Sequence, residues 1–112
     1  MTTQDGPDWY AVRCVIRGDK SSELTAYEER ITLWQARSLD HAIERAEAEA
    51  REYAMAVTGS PNSYLGLAQA YHLADAPGDG AEVFSLIRQS KHKAQKYLDR
   101  FFDTGTEHQQ RA

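Results

Sequence analysis

Alanine recurs at every fourth position from Ala42 through Ala46 and Ala50 to Ala54, and Leu39, Ile43, Tyr53 and Val57 keep the same helical spacing. A stripe of side chains this small predicts a helix that sits close to whatever it packs against. Ser38 is a suitable N-cap, because its hydroxyl can accept a backbone N–H that the first turn leaves unpaired. The run Thr58-Gly59-Ser60-Pro61-Asn62 ends the helix, with Gly59 placed as the left-handed residue after its last turn. The opposite side carries Glu44, Arg45, Glu47, Glu49, Arg51 and Glu52.

Around this helix, glycine and proline divide the chain into further segments, with Gly66 the one glycine outside a turn or an end. Trp9 to Ile16 reads as a strand whose positions Tyr10, Val12, Cys14 and Ile16 form one apolar face. The polar run Gly18 to Glu23 reads as a hairpin loop, and Tyr27 to Gln35 as the returning strand. In that strand Ile31 and Leu33 are expected on one face, with Glu28, Arg30, Thr32 and Trp34 on the other. After the helix, Tyr64 to Leu73 reads as a third strand and Asp75 to Gly80 as a turn. Ala81 to Arg88 reads as a fourth strand, and about Ser90 to Phe102 as a second helix with Ala94, Tyr97, Leu98 and Phe101 on one face. The expected fold class is α+β in the order β-β-α-β-β-α: a mainly antiparallel four-stranded sheet with both helices on one face.

A chain of 112 residues fits one domain spanning 1–112, with an ordered core over about 9–105 and fraying at the N-terminus and the C-terminal tail. With 41% hydrophobic residues it is globular in composition, and no apolar run approaches a membrane span. The start, Met1 to Gly6, lacks the positive and apolar regions of a signal peptide, and a single cysteine cannot form an internal disulfide. A cytoplasmic location is the expectation.

With both helices on one side, the other sheet face has no cover. The alternation would place Trp9, Arg13, Arg30 and Trp34 there, residue types common at interface hot spots. The plainer alternative is that each Trp shields its own strand pair while the arginines stay solvated. A sheet-to-sheet homodimer is the simplest cover.

Chemistry-bearing constellations are sparse. His41, His72, His92 and His108 are not spaced as metal-ligand pairs with one another or with Cys14. A spatial site from His72 with Glu28 or Glu29 stands against a strand-end histidine donating to backbone or water. Cys14 falls on an apolar face, where a thiol is buried and inert. Glu28 and Glu29 point to opposite sides of a strand and cannot serve one substrate as acid and base. Glu29 is expected beside Ile31 and Leu33, where burial would require a partner and raise its pKa, or else near the strand end in water. No phosphate loop, nucleophile elbow or zinc-protease sequence is present, and Gly78-Asp79-Gly80 precedes a strand where a nucleotide fingerprint needs a helix. No catalytic residue, metal or cofactor is assigned.

The formal charge of −4 is unevenly distributed. Five acids face two arginines between Ser38 and Val57, whereas Arg88, Lys91, Lys93, Lys96 and Arg100 face only Asp99 between Arg88 and Phe102. The basic segment could meet a phosphate backbone or an acidic partner, or simply be a solvated face. Overall acidity and the lack of an aromatic array among these bases speak against nucleic acid.

Trp9-Tyr10-Ala11-Val12, Tyr27-Glu28-Glu29-Arg30-Ile31-Thr32-Leu33-Trp34, Tyr64-Leu65-Gly66 with Gln69-Ala70-Tyr71-His72-Leu73, and Ala81-Glu82-Val83-Phe84-Ser85-Leu86-Ile87-Arg88 together resemble domain-of-unknown-function family 4288. The resemblance spans about Trp9 to Gly105 and implies a small bacterial cytoplasmic domain. The family has no assigned activity, so no catalytic or binding residue is carried over from it.

The leading functional expectation is a non-catalytic, self-associating interaction module, a homodimer through Trp9, Arg13, Arg30 and Trp34. A different class is a small-molecule-binding protein or enzyme with its site at Tyr27, Glu29, Arg30, Tyr71 and His72, near strand ends. A third is an acidic antitoxin or immunity-type partner protein.

Overall fold

The computed structural model describes residues 7–21, 23–103 and 105–110. The expected fraying of residues 1–6 and of the final two lies outside them. Three strands, β1 (Asp8–Ser21), β2 (Leu24–Ala36) and β3 (Tyr64–His72), form an antiparallel sheet in the order β2-β1-β3. Helix α1 (Leu39–Thr58) connects β2 to β3. Both outer strands are antiparallel to β1 and so run in the same direction, making β2-α1-β3 a split β-α-β unit closed by β1.

The expected helix ends are found. The Ser38 hydroxyl accepts the His41 amide at 3.0 Å, and Gly59 takes φ 79°, a left-handed conformation open to glycine at little cost. Ala42, Ala46, Ala50 and Ala54 are all buried against Tyr10, Val12, Cys14 and Ile16 of the central strand. The hairpin is longer than the sequence pattern suggests: its strands run on to Ser21 and Leu24, with a bulge between Arg17 and Lys20 in place of a loop. Gly66, φ 83°, lies in a second irregularity, where Leu65 to Leu67 of β3 oppose only Val15 of β1.

Two expected elements differ. Ala81 to Arg88 forms no ladder, and the sheet has three strands. Its large apolar residues, Val83, Phe84, Leu86 and Ile87, come in adjacent pairs, so a fourth strand would turn half of them to either side. The bulged β3 edge is also a poor template for pairing. The second helix shortens to α2 (Ala94–Tyr97) followed by a π-turn over Leu98–Phe102, and it does not pack on the sheet or on α1. Among the described residues one helix, α1, covers the sheet in place of the expected two. The radius of gyration, 16.9 Å, exceeds the ~13 Å of a compact chain this long, consistent with an extended C-terminal arm.

Candidate functional site: the open sheet face

Register decides which side chains share a face. Tyr10 lies opposite Trp34, Val12 opposite Thr32 and Cys14 opposite Arg30, so Trp34 and Arg30 stand on the helix-covered side. This corrects their expected place beside Trp9 and Arg13. The physical reason is curvature: α1 sits over the central strand, and its cylindrical surface falls away from the edge strand β2. Long amphipathic side chains fill that wedge. Arg30 forks onto Glu49 with two 3.0 Å bonds and lies 3.6 Å above the Tyr53 ring, and the Tyr53 hydroxyl donates to Glu28 at 2.8 Å. Trp34 donates its indole N–H to Thr32 at 2.7 Å, beneath the Arg45 guanidinium.

The opposite, open face carries Trp9, Ala11, Arg13 and Val15 of β1, with Ile31 and Leu33 of β2 opposite Arg13 and Ala11. Tyr71 and Gln69 of β3 complete the two rows. Ile31 and Leu33, expected in the core, are 43% and 38% exposed. Arg13 organises the centre: it donates to Gln69 at 2.5 Å, approaches Glu29 at 3.7 Å and lies 5.0 Å over the Phe84 ring. Phe84 also stacks on Tyr71 with centroids 6.1 Å apart, and the Tyr71 hydroxyl donates to Glu82, a bond that pushes its pKa up. The segment after β3 therefore returns across this face and is seated by Phe84 and Glu82. On the same face Ala11 and Leu73 are each only 1% exposed, although neither belongs to the cluster beneath α1. Coverage is incomplete: Ile31, Leu33 and, on the return segment, Val83 and Leu86 stay partly exposed, and Ile87 is 88% exposed.

The five candidate ligand residues do not converge. Glu29 and Tyr71 lie on the open face; Arg30 and His72 lie on the helix side. Tyr27 pairs with Arg17 and Tyr71 with Ala11, six residues apart on β1, or about 20 Å. His72 instead bonds Asp8 at 2.5 Å, with the Tyr10 ring 5.2 Å away, and this hydrogen bond holds the Asp8 carboxyl below the usual carboxylate range. Glu29 is exposed on the face edge. Cys14 is buried, and burial raises its thiol pKa. Next to it the Tyr64 hydroxyl donates to Glu47 at 2.5 Å; burial first, then that bond, drives its pKa up strongly. Among the described residues no three His, Cys, Asp or Glu side chains gather as a metal site, and no helix is long and apolar enough to cross a membrane.

Phe84, Glu82, Gln69, Ile31 and Leu33 shape this face, and their residue types alone do not mark them as site residues. The readable signal was hairpin phase: had Tyr10 been set opposite Trp34, Ile31 and Leu33 would have fallen beside Arg13.

No family model, curated protein or solved structure matches this chain.

Proposed function

We propose that this chain is a non-catalytic interaction module whose open sheet face is covered by a second copy of itself, and that it belongs to family 4288. The observation carrying this reading is the pair Ile31 and Leu33. They are branched aliphatic side chains on the open face of an edge strand, adjoining an Arg13–Phe84–Tyr71 cluster. A face that seats Phe84 from its own chain offers aromatic and arginine anchors of the kind that dominate interfaces. Val83 and Leu86 of the return segment are exposed as well, and a two-fold arrangement that covered them together with Ile31 and Leu33 would be a self-complementary contact.

Light scattering of the full chain across a concentration series tests this. The expected result is an even-numbered oligomer for the wild type and a folded monomer for Leu33→Glu, with an unchanged far-UV spectrum. Trp34→Glu is the control: beneath α1, it should damage the fold itself. A wild type that stays monomeric at high concentration overturns the reading.

A further inference from the structure

We infer that the C-terminal arm, Arg88 to Phe102, docks on the outer side of α1 in a second copy. This inference rests on the self-association reading and names a second contact within it. Arg88, Lys91, Lys93, Lys96 and Arg100 make the arm basic, and Arg88 and Arg100 lie over its Phe101 ring. Phe101 gathers Tyr97 at 5.0 Å, His92 at 6.1 Å and the Arg88 guanidinium at 4.9 Å, and Phe102 is 68% exposed. Lys91, Lys93 and Lys96 form no ion pair among the described residues. A basic helical turn with exposed phenylalanines and no support from its own domain is suited to an acidic, partly apolar surface.

The chain presents such a surface. Asp40, Glu44, Ala48 and Glu52 follow one another at intervals of four along the side of α1 facing away from the alanine stripe, with Met55 beside them and 55% exposed. Asp40, Glu44 and Glu52 make no ion pair among the described residues, whereas Glu47 and Glu49 are engaged by Tyr64 and Arg30. Arg45 and Arg51, which flank these acids, are drawn over the Trp34 and Tyr64 rings, so three acids on one side of α1 match three lysines on the arm.

Among the described residues the arm does not pack on the chain's own α1. Phe84 fixes the return segment on the sheet face opposite α1. The outer side of that helix lies beyond the sheet edge and a further helix diameter, about 10–12 Å. A second copy gives the arm an acidic surface without that detour, and reciprocal docking would use each arm and each helix once.

Zero-length carbodiimide cross-linking of a mixture of unlabelled and 15N-labelled full-length protein tests the inference. Cross-linked peptides joining Lys91, Lys93 or Lys96 to Asp40, Glu44 or Glu52, with one labelled and one unlabelled partner, are the expected result. The same peptides found only in same-isotope pairs would place the arm on its own helix and overturn it; so would their absence. In the paired variant test, Glu44→Lys/Glu52→Lys should weaken association at low salt about tenfold. Mixing it with Lys93→Glu/Lys96→Glu should restore association between the two variants, and failure to do so also counts against the contact. The two proposals separate at about 1 M salt, where charges are screened beyond about 3 Å. An oligomer that persists there, from a protein that gives no mixed-isotope cross-link even at low salt, keeps the sheet contact and removes the arm contact. Mixed-isotope cross-links in a protein whose association Leu33→Glu leaves intact would keep the arm contact and remove the sheet contact.

Discussion

The two faces of the sheet present the same β1 strand to different surroundings. On the α1 side, Tyr10, Val12, Cys14 and Ile16 meet four alanines at close range, and among the described residues no buried side-chain polar atom lacks a hydrogen-bond partner. On the other side, Trp9, Ala11, Arg13 and Val15 meet a loop held by one phenylalanine and one glutamate, which leaves Ile31 and Leu33 of β2 partly exposed. The helix side is completed by local structure: its cover follows β2 directly in sequence and is fixed by Ser38 and Gly59. The open side depends on the far part of the chain, which has neither a strand's alternation nor a long helix. A face covered by an adjacent element is finished within the monomer; one left to a distant segment is where a partner can enter.

The sharpest way to break this comparison is to truncate one isoleucine on each face. Ile16, 1% exposed beneath α1, should cost about 2–5 kcal/mol on replacement by Ala, independent of protein concentration. Ile31→Ala should cost no more than about 0.5 kcal/mol in dilute solution, and more once the chain associates. Urea melts at two protein concentrations measure both. If Ile31→Ala is as damaging as Ile16→Ala in dilute protein, the open face is covered within one chain and the contrast is false.

What was legible in the sequence divides along the same line. Ala42, Ala46, Ala50 and Ala54 announced a closely packed helix, and the alternation Tyr10-Val12-Cys14-Ile16 announced the strand it covers, because both patterns arise from burial on a single side. β2 misled, since Ile31 and Leu33 are its aliphatic residues and apolar pattern alone assigned them to the core. The inner side of an edge strand beneath a curved helix needs length more than hydrophobicity, and Arg30, Trp34 and Glu28 supply it by reaching α1 or its neighbours. The paired apolar residues of 83–87 suggest a strand only by their β-favouring residue types, since their i, i+1, i+3, i+4 spacing breaks the alternation that a strand needs. The candidate ligand residues failed for a geometric reason: closeness to strand ends in sequence says nothing about which end or which face.

A smaller effect sharpens the same contrast at the β2 edge. Arg30 and Glu49 are partly exposed yet form a two-bond fork, with Glu49 raising the Arg30 pKa and Tyr53 beneath the guanidinium. A double-mutant cycle with Arg30→Met and Glu49→Gln should give a coupling of about 0.5–1 kcal/mol, the range for a well-formed but solvent-touched pair. Arg13 and Glu29, 3.7 Å apart on the open face with Glu29 largely exposed, should give less. Equal couplings would mean that α1 contributes no shielding at the edge.

The smallest expected effect lies at the sheet end shared by the two faces, in the Asp8–His72 pair. Its hydrogen bond to His72 lowers the Asp8 pKa, so the folded state holds the carboxylate ionised to lower pH than the unfolded chain does. The sign follows from proton linkage. Asp8 contributes stability above the ordinary aspartate value of about 3.9, and that contribution is lost as pH falls through the depressed folded value. Following the Asp8 carboxyl carbon by NMR should therefore show a midpoint below about 3.9 in the wild type, moving upward in His72→Ala. Thermal melts between neutral and acidic pH should show a steeper acid loss for the wild type than for Asp8→Asn, which has no carboxylate to protonate. A His72→Ala midpoint equal to the wild type's would mean that the pair is not formed in solution. β1 and β3 would then be joined at this end by the ladder and the Leu73-to-Trp9 backbone bond alone.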